Sequence, residues 1–110
     1  MSSLDQVKAE KEKLEQTLKE LGDKRGEVSK RVEEAMREID NLRAKYRSAR
    51  DEIEASRIEL SMHYLSQQLR PLEDELSNVE RRIRGTESTI EELKKRIKTC
   101  LLYTSDAADE

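Results

Sequence analysis

Apolar residues recur along the first sixty residues at alternating intervals of three and four, which is the pattern of a heptad repeat. With Leu4 as position a, the pattern keeps its phase as far as Leu60. A helix with such a stripe buries one narrow face against another helix and supercoils with it. The residues of this first seam are Leu4, Val7, Leu14, Leu18, Leu21, Val28, Val32, Ile39, Leu42, Tyr46, Ile53 and Leu60. The pattern therefore predicts a first coiled-coil segment over residues 1–65.

A second seam follows with a shifted phase. Its residues are Leu65, Leu69, Leu72, Leu76, Val79, Ile83, Ile90, Leu93 and Ile97. From Leu60 to Leu69, two successive a positions, the chain advances nine residues instead of seven. At about 100° per residue, this step turns the stripe to about the opposite face of a straight helix. One partner helix can follow both stripes only if the chain bends, unwinds or reverses between them.

Pro71 marks the place where we expect this change of face. It has no N–H to donate to the Gln67 carbonyl, and it disfavours helical geometry at Arg70. Residues 56–70 contain no Gly, Asn, Asp or Pro that would favour a tight turn. We therefore expect an all-α chain, a long coiled-coil helix bent or broken near residues 66–71, with a second coiled-coil segment over 72–99. An antiparallel helical hairpin is the alternative.

Two local features bear on the first segment. Ser3 and Gln6 have the spacing of a capping box, so we expect the helix to begin at Ser3. Gly22 and Gly26 flank Arg25, which places a charge in an a position, and each glycine costs about 1 kcal/mol relative to Ala inside a helix. Because the heptad phase is the same on both sides of them, we expect a continuous helix here rather than a turn.

Composition argues against a compact domain with its own core. Charged residues make up 43% of the chain and aromatic residues 3%, with no Phe or Trp. Such a chain either stays disordered or forms helices whose seam another helix completes, and the sustained heptads favour the second. The net charge is −3, and the 22 basic and 25 acidic residues are interleaved. The chain therefore has no long-range field that would steer it to nucleic acid or an anionic membrane.

The sequence gives no sign of export or membrane insertion. It has no run of 18 apolar residues, and its first residues lack the basic and hydrophobic regions of a signal peptide. The single cysteine, Cys100, provides no disulfide framework. We expect a cytoplasmic protein that does not contact a membrane.

Residues that could carry chemistry are few. His63 has no second metal ligand nearby at helical spacing, and Cys100 has no neighbouring His to activate it. Adjacent acids such as Glu33 and Glu34 diverge by about 100° on a helix, so they do not form a carboxylate pair. We expect no enzymatic activity, no cofactor, no metal and no small-molecule substrate.

Two basic clusters leave nucleic-acid binding open as an alternative function. They comprise Arg43, Lys45, Arg47 and Arg50 around Tyr46, and Arg81, Arg82 and Arg84. Either cluster could contact phosphates by charge alone, but acidic residues within one turn favour a solvated surface. The segment Leu14–Arg37 is similar to the N-terminal helical arm of seryl-tRNA synthetases. This resemblance implies a helical arm that binds nucleic acid.

Two further resemblances concern the class of protein and the end of the chain. Residues 1–99 resemble the rods of tropomyosins, golgins and chromosome-maintenance arms in their heptads and charge, which implies a scaffold. Residues 100–110, with the sequence CLLYTSDAADE, resemble the translated read-through of a transposase sequencing-library adaptor at all eleven positions. This second resemblance implies a non-native tail and a reading frame cut at about Thr99.

The function that we expect is a structural, scaffolding coiled coil, the N-terminal fragment of a longer protein, that mediates oligomerisation or partner association. The expected partner is another helix, from the same or a different chain. In a parallel homodimer the pair Glu38/Arg43 would attract, but the pair Glu10/Glu15 would repel. Charge along the first seam therefore does not select self-pairing.

Overall fold

The chain forms two α-helices, α1 (Ser3–Arg47) and α2 (Glu52–Asp109). The computed structural model describes the backbone of residues 2–109 and the side chains of residues 2–103. No residue in this range belongs to a strand, so the all-α class is confirmed. Of the two arrangements that the sequence leaves open, the structure has the antiparallel helix pair. Most of the suggested non-native tail, residues 100–110, lies outside the described side chains, and its origin stays a prediction.

Helix α1 begins with a different cap from the one that the sequence suggests. The Ser2 hydroxyl oxygen accepts a hydrogen bond from the Asp5 N–H at 3.1 Å. The Ser2 carbonyl accepts the first helical bond from the Gln6 N–H, also at 3.1 Å. Ser2 rather than Ser3 is therefore the N-cap residue, and Asp5 lies in the first turn, where the helix dipole favours an acid.

The chain reverses direction at residues 48–51. Helix α1 ends where the Ser48 hydroxyl donates to the carbonyls of Ala44 and Lys45, at 3.4 and 3.3 Å. The backbone N–H groups of Ser48 and Ala49 reach carbonyls three residues back, at 3.2 Å each. This tighter spacing is typical of a last helical turn. No described residue has a positive φ angle, so the reversal is made without left-handed backbone.

A variant of the capping box opens α2. The Asp51 carboxylate accepts a hydrogen bond from the Glu54 N–H at 2.8 Å, and the Glu54 carboxylate accepts one from the Arg50 N–H at 3.0 Å. The Asp51 carbonyl accepts the first helical bond from Ala55 at 3.1 Å. These reciprocal bonds satisfy backbone donors that a helix start leaves without partners. They fix the point at which the second helix begins.

The break in the helix therefore lies at 48–51 and not near residues 66–71. Helix α2 is unbroken from its first residue to its last and contains Pro71. Pro71 and Gln67, whose carbonyl it cannot bond, are both exposed. A proline on the outer side of a helix removes one backbone bond without disturbing the buried side. A bend within 66–71 stays a prediction, as do the segment boundaries at residues 65 and 72.

The seam of α2 keeps one phase along its length. The residues at its a and d positions, all buried or half-buried, are Ala55, Ile58, Met62, Leu65, Leu69, Leu72, Leu76, Val79, Ile83, Thr86, Ile90, Leu93 and Ile97. The nine-residue step inferred from the sequence does not occur, because Leu60 is exposed and lies outside this stripe. The phase changes across the reversal, between Leu42, the last half-buried seam residue of α1, and Ala55, the first of α2.

Helix α1 is continuous through its two glycines, as the heptad phase predicts. Gly22 and Gly26 both lie inside α1, and neither has a positive φ angle. Between them, Arg25 occupies its a position with an exposed side chain. The charged head of such a residue can reach water while its aliphatic stem stays near the seam.

The described residues divide into two compact units. The first unit joins α1 up to Asp23 to the part of α2 from Glu80 onward. Its buried residues are Leu21, Ile83, Ile90 and Leu93. Val7 lines a groove with Lys95 and Thr99, and Lys11 lines one with Lys94 and Leu102. Within this unit, the start of α1 therefore lies beside the last part of α2.

The second unit, Lys24–Val79, contains the reversal and the helix on either side of it. Its buried residues are Val28, Val32, Ile39 and Val79. An ion pair at 3.3 Å joins Lys24 to Glu75 across the two helices. Both side chains are about half exposed, so the pair contributes little stability, on the order of 0–1 kcal/mol. Burial of the apolar side chains is what holds this hairpin together.

Candidate association surface

Three large apolar residues of α2 lie on its outer side, near the reversal. Ile53, Leu60 and Tyr64 are 68%, 70% and 60% exposed. They are separated by seven and four residues, so they lie on one side of the helix. In the heptads of α2 they occupy positions f and c, opposite the a and d positions that pack against α1. We call Ile53, Arg57, Leu60, Tyr64 and Gln67, the successive f and c positions of this stretch, the outer stripe.

Three members of the first predicted seam are exposed in the structure. Ile53 and Leu60 point outward, and Tyr46 is 40% exposed near the end of α1. Of the other predicted seam residues, Leu21, Val28, Val32, Ile39, Val79, Ile83, Ile90 and Leu93 are buried. Leu4, Val7, Leu14, Leu18, Leu42, Leu65, Leu69, Leu72, Leu76 and Ile97 are half-buried. A contact of the seam residues with a partner chain stays a prediction.

Sequence reasoning missed three seam residues that the structure brings in. Ala55, Ile58 and Met62 are half-buried in the place assigned to Ile53 and Leu60. The signal for them was present, because stepping back by sevens from Leu65 and Leu69 reaches all three. The heptad register of α1 does not continue past residue 50. The outer stripe is therefore an additional apolar surface and not part of the seam.

The stretch of α2 that holds Leu60 and Tyr64 is also free of formal charge. Residues 60–69, with the sequence LSMHYLSQQL, contain no Asp, Glu, Lys or Arg, in a chain of which 43% is charged. His63 is the one titratable side chain of this stretch besides the Tyr64 phenol. Depletion of charge around an exposed aromatic residue such as Tyr64 is typical of the centre of a protein interface. No other ten-residue stretch of the chain lacks Asp, Glu, Lys and Arg.

A groove connects the outer stripe to α1. It has a volume of about 420 Å³ and is lined by Glu38 and Leu42 of α1 and by Leu60, Ser61, Tyr64 and Leu65 of α2. Its walls are mainly apolar, with one carboxylate at the α1 edge. A side chain from a docked helix could enter this groove while its neighbours cover the outer stripe.

Tyr46 and Glu59 join the two helices beside the outer stripe. The Glu59 carboxylate lies beside the Tyr46 hydroxyl, from which it can accept a hydrogen bond. This bond and the negative charge of Glu59 raise the pKa of Tyr46 above its usual value, and slight desolvation adds to the effect. The neutral phenol is therefore the form that the contact favours.

The basic cluster before the reversal is divided between different environments. Arg43 pairs with Asp40 at 3.2 Å and lines a groove of about 530 Å³ with Tyr46 and Arg47. Arg50 lies in the connection between the helices, where its backbone N–H donates a hydrogen bond to the Glu54 carboxylate. The arginines and acids therefore alternate around the end of the hairpin, and the cluster is not a continuous basic patch.

The structure does not assemble the candidate chemical residues into a site. His63 lines a shallow groove of about 290 Å³ with Ser66, Gln67 and Arg70, which offers one metal ligand. No group of three His, Cys, Asp or Glu side chains in the described part of the chain could hold a metal ion. Cys100 is exposed. The expectation that the chain is not an enzyme stays a prediction.

Comparison with known proteins adds no family to this geometry. No protein-family model matches the chain, and no curated protein or solved structure matches it. Over the residues that the structure describes, neither helix has an apolar stretch of the length that crossing a bilayer requires. The surface of the chain is therefore the basis for assigning a function.

Proposed function

We propose that this chain is a coiled-coil scaffold that mediates association by presenting the outer side of α2 to another helix. The observation that carries this proposal is the combination of exposed Ile53, Leu60 and Tyr64 with the uncharged stretch 60–69. Exposed apolar residues that cluster on one helix side mark interaction surfaces, whereas isolated ones need no explanation. The seam that the sequence assigned to a partner is occupied by the chain's own second helix within each unit. Association then falls to the surface that remains uncovered.

The occupant that fits this surface best is an amphipathic helix. The apolar positions of the outer stripe follow helical spacing, so a second helix can pack along them with its own apolar side chains between Ile53 and Tyr64. The groove beside Leu60 supplies a pocket for one anchoring side chain. The hairpin holds α2 in place for such a contact, which limits the entropy lost on binding.

Site-specific photocrosslinking tests this function. A photoreactive phenylalanine analogue replaces Leu60 in the full chain, and the same analogue replaces Ser88 as the control. Ser88 is also an exposed f position of α2, but charged residues flank it. We expect defined adducts at position 60, with crosslinked residues at helical spacing in the partner, and none of them at position 88. The same adducts at both positions, or none at position 60, would contradict the proposal.

Nucleic-acid binding by a helical arm is the second candidate, and the reversal favours it more than the sequence alone did. A hairpin that turns at 48–51 brings Arg47 and Arg50 to its end. Acids at Asp51 and Glu54 occupy the same end and reduce the local positive charge. Retention of labelled tRNA at about 150 mM salt, lost when Arg47 and Arg50 are both changed to Glu, would support this candidate. Release of the tRNA from the unaltered chain at that salt would exclude it.

A further inference from the structure

The outer stripe is complementary to itself when two copies run antiparallel. Its members follow one another at intervals of four, three, four and three residues, with Leu60 in the middle. A two-fold axis through Leu60 places this residue against its equivalent. The same axis places Arg57 of each copy opposite Tyr64 of the other, and Ile53 opposite Gln67. All five side chains are exposed, so each is available for such a contact.

The charges of this surface favour the antiparallel orientation. Arg57 meets an aromatic ring, which attracts a guanidinium, and it does not meet another cation. Glu54, on the flank of the stripe, lies opposite the uncharged Gln68 of the other copy. In a parallel pair in register, Arg57 would face Arg57 and Glu54 would face Glu54, and both contacts repel. The antiparallel contact therefore brings no like charges together along the stripe.

We propose that a second copy of this chain is the occupant of the outer stripe, in a two-fold antiparallel contact centred on Leu60. This rests on the proposed association function and names its partner. A stretch without formal charge binds best to a partner surface that also lacks charge, and the same stretch of a second copy is such a surface. The stripe spans 15 residues, about 20 Å of helix, which is short of the area of about 800 Å² per partner in stable complexes. The dimer is accordingly weak and reversible.

Cysteine trapping tests the geometry. In a chain that carries Cys100→Ser, Leu60→Cys places two thiols on the two-fold axis, and Ser88→Cys is the matched control. With oxidised glutathione as the oxidant, we expect disulfide dimers of the Leu60→Cys chain to form at least about tenfold faster than those of the control. A mixture of Arg57→Cys and Tyr64→Cys chains should give the mixed dimer in excess over either symmetrical one. Equal rates at positions 60 and 88, or an excess of symmetrical dimers in the mixture, would overturn the proposal.

A measurement without covalent trapping completes the test. Sedimentation equilibrium of the unaltered chain should show a concentration-dependent dimer, and Leu60→Glu should weaken it by about tenfold or more. Because Leu60 is 70% exposed, this variant keeps its fold, and an unchanged helical circular dichroism spectrum verifies that. Photocrosslinks at position 60 to a different protein, with no trapped dimer, would overturn the second-copy proposal and leave the association function standing. Neither crosslinks nor dimers would contradict both.

Discussion

Replacing Gly22 with Ala should stabilise the chain, and the amount follows from the environment of this glycine. Gly22 lies inside α1 without a positive φ angle, and a Cβ built on it meets no heavy atom within 4 Å. The substitution therefore adds a methyl group without strain. Ala is favoured over Gly in a helix interior by about 1 kcal/mol, chiefly because the unfolded chain loses conformational freedom.

The two other helical glycines of the chain provide a comparison for the stability change at Gly22. Gly26 and Gly85 also lie inside a helix, and a Cβ built on either meets no heavy atom within 4 Å. Helix propensity is therefore the whole gain expected at each of the three positions. We expect Gly22→Ala, Gly26→Ala and Gly85→Ala to stabilise the chain by about 1 kcal/mol each.

Thermal and urea unfolding followed by circular dichroism measure these differences. A gain of about 1 kcal/mol should raise the midpoint of thermal unfolding by about 4 °C for a chain of this size. All variants are compared at one concentration, because self-association would also raise the midpoint. A fall in the midpoint for Gly22→Ala, with a rise for Gly85→Ala, would refute a continuous helix through residue 22.

Three further predictions concern the reversal and α2. Asp51→Ala should lower the free energy of unfolding by about 1 kcal/mol in urea titrations, because the Glu54 N–H loses its cap; Asp51→Asn, which keeps an acceptor, should lose less. Glu59→Gln should lower the pKa of Tyr46, because Glu59 raises that pKa. Tyrosinate absorbance measures it in a chain whose other tyrosines are changed to Phe. The contact with Glu59 stabilises the fold below the usual pKa of a phenol, and this stabilisation is lost as the pH rises through the raised pKa of Tyr46. Pro71→Ala should raise the thermal midpoint, by up to about 3 kcal/mol in stability, because α2 runs through this position; an unchanged or lower midpoint would contradict that.

The sequence was sufficient for the helical class and for the spacing of the buried apolar residues. Sustained heptads specify a helix with one apolar side, and Val28 and Ile90 lie buried where the pattern placed them. Continuity through Gly22 was also predictable, because an unchanged phase on both sides of a glycine is a long-range signal. Both inferences depend on the periodicity of apolar residues over many turns, and a single residue of low helix propensity does not change that periodicity.

The position of the reversal was predictable in principle but was placed wrongly. Gly and Pro are the usual residues of tight turns, and Pro71 is the one such residue within 66–71. The structure instead turns through Ser48 and Asp51, whose side chains cap the two helix ends. The spacing from Asp51 to Glu54 is itself a recognisable capping box. Partner identity was not predictable, because an apolar position such as Leu60 looks the same in a buried seam and on an exposed surface.

The two units differ in how far apart along the chain their packed segments lie, and this has a consequence for folding kinetics. The unit around the reversal closes a connection of four residues, whereas the other unit must bring together segments separated by the 56 residues from Lys24 to Val79. With that intervening chain unfolded, closing the longer loop costs on the order of 2 kcal/mol more entropy. Local pairs form early and distant pairs late, so folding should begin at the reversal and extend from it towards the chain ends. Amide exchange on the unmodified chain should accordingly show its lowest protection in the unit that contains Leu4 and Ile97.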